Sequence, residues 1–124
     1  MAYRIEWDQR GVVVTMTGET DIFEINEVNG LIQGHEGFDS MDYQVIDLVD
    51  VEFTAVTARQ LDQPAATDKA ASRMKADVKV ALVAQSDANL EHARIYSEAS
   101  KSMGSPWEFR TFTELQPALE WARG

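Results

Sequence analysis

An α/β fold with a five-stranded, mostly parallel mixed sheet is predicted from three observations. After an opening hairpin, strand-like and helix-like segments alternate to the end of the chain, and that order calls for right-handed crossovers between parallel strands. The helix-like segments begin with capping chemistry, as in Asp21-x-x-Glu24, Thr57-x-x-Gln60 and Thr113-x-x-Gln116. The chain has 124 residues and no cysteine. That is one domain on the usual size range, 1–124, with room for a core that needs no disulfide or metal.

The elements follow in order. Tyr3, Ile5 and Trp7 alternate with Arg4, Glu6 and Asp8, the period of a half-buried strand. Gln9-Arg10-Gly11 is a turn, and Val12 to Thr17 is the second strand, ended by Gly18. Thr20 or Asp21 caps a helix in which Ile22, Ile25, Val28 and Leu31-Ile32 recur near helical spacing. Gly30 weakens that helix by about 1 kcal/mol relative to alanine, and Gly34 is its expected stop. His35 to Asp42 is a polar loop. Tyr43 to Val51 is a largely buried strand, rich in Val and Ile.

The Thr57 box predicts a helix start, with Pro64 breaking or kinking it one turn later and Ala65 to Met74 continuing as helix. Val78 to Ala84 is a buried strand. Ser86, Asp87 or Asn89 opens the next helix, with Ala88, Leu90, Ile95, Tyr96, Ala99 and Met103 inward, and Gly104-Ser105-Pro106 stops it. Trp107, Phe109 and Thr111 alternate with Glu108, Arg110 and Phe112 as the last strand. The Thr113 box opens a terminal helix with Leu115, Leu119 and Ala122 inward and Pro117 in its first turn. The order is β-β-α-β-α-β-α-β-α. No linker, repeat or low-complexity run interrupts it.

Charge narrows the partners. The net charge is −10, and Met1 to Asp62 carries all of the excess, with 13 acidic and 3 basic residues. Such a surface repels phosphate backbones and anionic bilayers, so nucleic acid is not an expected partner. It serves solubility, and offers an acidic face to a basic protein or an amine. No stretch approaches the ~18 apolar residues of a membrane span. Met1 to Asp8 is polar and alternating, unlike a signal peptide. A cytoplasmic protein is expected.

Several core and turn positions carry a resemblance. Asp47, Leu48, Val51 and Phe53 stand as acidic-Leu-x-x-Val-x-Phe before a helix. Arg110 and Phe112 form an Arg-x-Phe strand, and Ala118 and Trp121 an Ala-x-x-Trp helix end. With the opening hairpin, these resemble the SpoIIAA-like family, related to the STAS domains of anti-sigma-factor antagonists, over nearly the whole chain. The resemblance implies a SpoIIAA/STAS-like sheet with helices packed on it, and a regulatory or ligand-binding module rather than an enzyme. In the antagonists, a serine after an aspartate at the start of the second helix is the phosphorylated switch. Those two positions fall on Ala55 (aspartate) and Val56 (serine) here, with Thr57 the next hydroxyl, so the switch lacks its key residue. The SpoIIAA-like branch is also similar to lipid-binding CRAL-TRIO domains, which implies an apolar small-molecule pocket.

The other constellations each lack a needed part. Thr54 and Thr57 lie at a strand-to-helix junction, where a helix N-terminus favours an anion or a phosphoryl group, but a capping box also accounts for Thr57. Asp47 and Asp50 flank the end of a buried strand. A receiver-type site needs a further acidic pair and a late lysine, and neither follows Val12–Thr17 or Val78–Ala84. His35 and His92 are the only histidines and have no ligand spacing around them. Ser72-x-x-Lys75 matches an acyl-transfer pair without its companion motifs. Most aromatic residues, including Phe23, are expected in the core. Phe38, in a polar loop, is the aromatic expected at the surface, where with Met41 and Tyr43 it would line a pocket mouth or a dimer contact.

The residues and the resemblance together lead to a non-catalytic module with no cofactor and no metal. It would bind a small apolar ligand or a regulatory protein near Thr54, Thr57, Ser86, Asp87 and Phe38. These positions, Phe38 apart, lie beyond the carboxyl ends of parallel strands, where open α/β sheets place their sites. A homodimeric interaction domain is the alternative, and a small hydrolase using Asp50 with a threonine is the third.

Overall fold

A computed structural model describes residues 3–124. One sheet runs in the spatial order β1(Tyr3–Trp7)–β2(Gly11–Thr20)–β3(Tyr43–Phe53)–β4(Lys79–Val83)–β5(Glu108–Phe112). β1 pairs antiparallel with β2, and the other pairs are parallel. Four α-helices accompany it: α1(Ile22–Gln33), α2(Asp62–Ala71), α3(Asp87–Ser102) and α4(Leu115–Arg123).

Strand order and crossover handedness together decide where the helices go. When parallel strands are added one after another in a single direction, right-handed crossovers place every connecting helix on the same face. The main core lies there, with Val12, Val14, Met16, Val80 and Leu82 of the sheet under Val28 and Ile32 of α1 and Ala93 of α3. Only α4, which comes after the last strand, covers the other face. There Ala118 and Ala122 pack on Tyr43, Val45, Ala81 and Val83. Three helices crowd the first face, and α2 packs chiefly on α1 and α3 instead of directly on the sheet.

β2 does not end at Gly18. It runs to Thr20, because Gly18 takes the left-handed backbone (φ 68°) and lets pairing continue from Gly18–Val51 to Thr20–Phe53. β3 is correspondingly longer than Tyr43 to Val51 and contains a bulge. Thr15 faces Asp47 but Thr17 faces Asp50, so β3 carries one extra residue. An extra residue reverses the side-chain alternation of the strand beyond it. Leu48 and Val51, an odd spacing apart, therefore both join the main core. Asp47 and Asp50 flank this bulge and not the strand end. Asp47 accepts a hydrogen bond from the Val49 amide at 3.1 Å.

The caps are formed unevenly. Asp21 caps α1 through the Glu24 amide, and Ser86 caps α3 through the Asn89 amide. The Thr57–Gln60 box forms both of its bonds, 3.0 and 3.2 Å. It opens a tight turn, however, and α2 begins only at Asp62. Pro64 has no N–H to give the Gln60 carbonyl, so that carbonyl takes the Gln63 amide instead. α2 stops at Ala71, three residues before Met74. The Thr113–Gln116 box does not form: Glu114 is the N-cap of α4, without a side-chain bond.

Helix faces also differ from the periodicity reading. α3 turns Asn89, Ala93, Ser97 and Ser100 inward beside the expected Leu90 and Tyr96, while Ala88 is exposed. Small residues on this face allow α3 to approach its neighbours closely. Leu115 and Leu31 are exposed, and Phe23, expected in the core, is 80% exposed on the outer side of α1.

Candidate functional site

The packing of α2 on other helices leaves an apolar cavity of about 80 Å³ between the sheet and α1, α2 and α3. Its floor is Met16 of β2, Ile46 and Leu48 of β3, and Leu82 of β4. Ile46 is aligned with Val14 and with Leu82 across the parallel pairs, which makes the floor continuous. Ile25, Val28 and Ile32 form the α1 wall, and Ala93 and Tyr96 the α3 wall. Phe53, Leu61, Pro64 and His92 close the remaining side. Phe53 lies beyond the bulge, so the extra residue in β3 is what turns it toward this space.

One end of the cavity is polar. Asn29 and Tyr96 line it, and behind them lies Asp68 of α2, fully buried at 0% exposure. The Tyr96 hydroxyl donates to Asp68 Oδ2. Gln33 Nε2 donates to Asp68 Oδ1 at 3.0 Å, and the Asn29 side chain also supports the carboxylate. Burial penalises the charged form more than these bonds favour it, so the Asp68 carboxyl is pushed up from 3.8 to about 6. The same burial, with the neighbouring carboxylate, pushes the Tyr96 phenol up. Asp68 thus ties α1, α2 and α3 together through buried hydrogen bonds.

A second polar residue holds the cavity's frame. Asn89 Nδ2 donates to the carbonyls of Leu48 and Val51, each at 2.9 Å. These oxygens flank the bulge, where the regular ladder is interrupted. Asn89 replaces the missing partners and pins α3 to β3. Asp68 carried no signal in the sequence, and Asn89 stood out only as a possible opener of α3. Both are single polar residues in helices already rich in polar residues, and burial alone distinguishes them.

None of the sequence-derived positions lines this cavity. Thr54 and Thr57 are exposed on the loop between β3 and α2. The Thr54 amide donates to the Thr20 carbonyl at 2.7 Å. Ser86 and Asp87 are exposed at the start of α3. His92, one turn further on, joins the two segments. Its Nε2 lies 3.3 Å from the Val56 carbonyl and its Nδ1 2.8 Å from the Ala88 carbonyl, and its ring stacks on Phe53. Ala55, in this loop, takes the left-handed backbone at φ 55°, which costs an alanine about 1 kcal/mol.

Phe38 does not belong to the surface. It is 4% exposed and packs against Trp107, because a short 3-10 turn over Phe38–Ser40 folds it inward. Met41 and Tyr43 are equally buried. Tyr43 instead anchors the opposite face: its hydroxyl donates to Asp8 and accepts from Arg123 Nε. Ser72 and Lys75 do not meet. Ser72 Oγ donates to the Lys69 carbonyl, and Lys75 pairs with Asp42 at 3.6 Å. His35 stacks on Trp7. Among the described residues no three His, Asp or Glu side chains gather as a metal site would require, and no helix is long and apolar enough to cross a membrane.

Comparison with solved structures places this architecture. An uncharacterised protein of the DUF3478 family with a SpoIIAA-like fold, from Shewanella loihica PV-4, is similar at a TM-score of 0.55 and 17% identity, over 98% of this chain and 92% of that one. The anti-sigma factor antagonist SpoIIAA in its unphosphorylated form is similar at a TM-score of 0.62 and 14% identity, over 99% of both chains. No family model and no curated protein matches the sequence. The fold is SpoIIAA-like, a five-stranded mixed sheet with four α-helices.

Proposed function

We propose that this protein is a non-catalytic binding module whose cavity under α2 receives a small apolar ligand. The observation that carries the reading is the cavity lining. Of fourteen residues, only Asn29, His92 and Tyr96 are polar, and the space adjoins the carboxyl ends of parallel strands. The loop carrying Thr54 and Thr57 follows Phe53 of the lining, and Ser86 and Asp87 open the helix that carries His92, Ala93 and Tyr96 of the lining. Movement of that loop would admit the ligand and alter the surface shown to a partner, which joins ligand binding to regulation. Intact-mass measurement of protein purified gently from its native host tests this. A small mass retained under native conditions and lost on denaturation supports the reading. Bare chain under every growth condition overturns it.

A second reading rests on Phe23 and Leu31, 80% and 50% exposed, two turns apart on the outer side of α1. They favour a protein contact there, whether with a regulator or with a second copy of the chain. Sedimentation over a range of concentrations tests the homodimer form. Association that Phe23→Ser abolishes supports it, and monomer at every concentration removes it.

A further inference from the structure

The polar end of the cavity carries charge of one sign, and this bears on which ligands the cavity accepts. Asp68 is fully buried behind Asn29 and Tyr96, both of which line the space. Among the described residues, none of the ion pairs includes Asp68. No lysine or arginine lines the cavity. His92, at the other side, lies with Nδ1 2.8 Å from the Ala88 carbonyl and Nε2 3.3 Å from the Val56 carbonyl, and a neutral ring donates to one of them. The bonds that Asp68 receives, from the Tyr96 hydroxyl and Gln33 Nε2, are neutral ones. They satisfy the carboxylate oxygens without cancelling the charge.

Resting on the cavity being a ligand site, we propose that Asp68 sets its charge selectivity: the site takes apolar molecules ending in an amine or a hydroxyl and turns away those ending in a carboxylate. The polar end of such a ligand would lie beside Asn29 and Tyr96, one residue removed from Asp68. A unit charge within about 6 Å of a carboxylate, at the dielectric of a partly shielded protein site, changes affinity on the order of tenfold or more. The sign is set by the charge. An ammonium gains, a hydroxyl is little affected, and a carboxylate loses. With its carboxyl near 6, Asp68 is ionised in neutral and mildly basic solution.

Three six-carbon probes, hexylamine, 1-hexanol and hexanoate, separate the possibilities when titrated near pH 8 and followed by the amide NMR signals of Asn29, Ala93 and Tyr96. The expected order of affinity is amine, then alcohol, then carboxylate, with at least about tenfold between the ends. Asp68→Asn should collapse the order. In wild type the preference for hexylamine over 1-hexanol should also shrink near pH 5, where Asp68 takes up its proton, and this second measurement decides the matter if Asp68→Asn folds poorly. Equal binding of all three probes, or hexanoate binding best, overturns the selectivity and leaves the cavity standing as a ligand site. Failure of all three to shift these signals overturns the site and the selectivity together.

Discussion

The Tyr96 hydroxyl on α3 donates to the carboxylate of Asp68 on α2, deep between helices and, among the described residues, outside every ion pair. This bond, with those from α1, makes Asp68 the polar centre of the three-helix layer. Its raised carboxyl has a thermodynamic consequence. The folded state holds a proton up to about pH 6 that the unfolded chain releases near 3.8. The stability from this group is therefore complete below roughly pH 4 and is lost as pH rises through about 6. A shift of this size corresponds to at most roughly 3 kcal/mol. Urea unfolding of wild type and Asp68→Asn across this range should show the variant gaining on wild type as pH increases. Parallel pH profiles would refute the buried charge.

Asn89→Leu should destabilise the fold by about 2 kcal/mol or more, because it leaves the Leu48 and Val51 carbonyls unpaired beside the bulge. Asn89→Asp should be worse at neutral pH, since a carboxylate would face two carbonyl oxygens. Equilibrium unfolding ranks the two. A loss below about 0.5 kcal/mol for both would mean that water replaces the amide.

Gly11→Ala should cost about 1–3 kcal/mol. A Cβ there would sit 2.6 Å from the Tyr43 ring, which is held on its far side by Asp8 and Arg123 and has little freedom to retreat. Urea midpoints measure the loss, and an unchanged midpoint would show that the ring can move.

Ala55→Gly should stabilise by about 0.5 kcal/mol, the relief of a left-handed alanine less the added freedom of glycine in the unfolded chain. Ala55→Val should do the opposite. A destabilised glycine variant would show that the loop prefers another backbone conformation in solution.

The strand and helix order was legible in the sequence because apolar runs and turn glycines agree with one another along the chain. What escaped was set by tertiary packing. Nothing local in Tyr43 to Phe53 marks a bulge, so the phase reversal that brings Val51 and Phe53 to the cavity side was invisible. α3 shows apolar residues at helical spacing, and Leu90 and Tyr96 do pack on the core, yet its most buried residues are Asn89, Ala93, Ser97 and Ser100, because neighbouring helices press close there. Phe38 was expected outside since its loop is polar, but a single 3-10 turn buries it. Thr54, Thr57, Ser86 and Asp87 lie at the strand ends as the topology requires. The cavity beside them depends on α2 riding on two other helices, which no residue pattern in α2 announces.

The most direct test of the central claim fills the cavity. Ala93 lines it and is buried, so Ala93→Phe places a ring in the space. Wild type and variant, matched for fold by circular dichroism, are incubated with an apolar extract of host cells and weighed intact. Wild type should retain a discrete small molecule and the filled variant should not. Equal retention by both, or none by wild type, would contradict it.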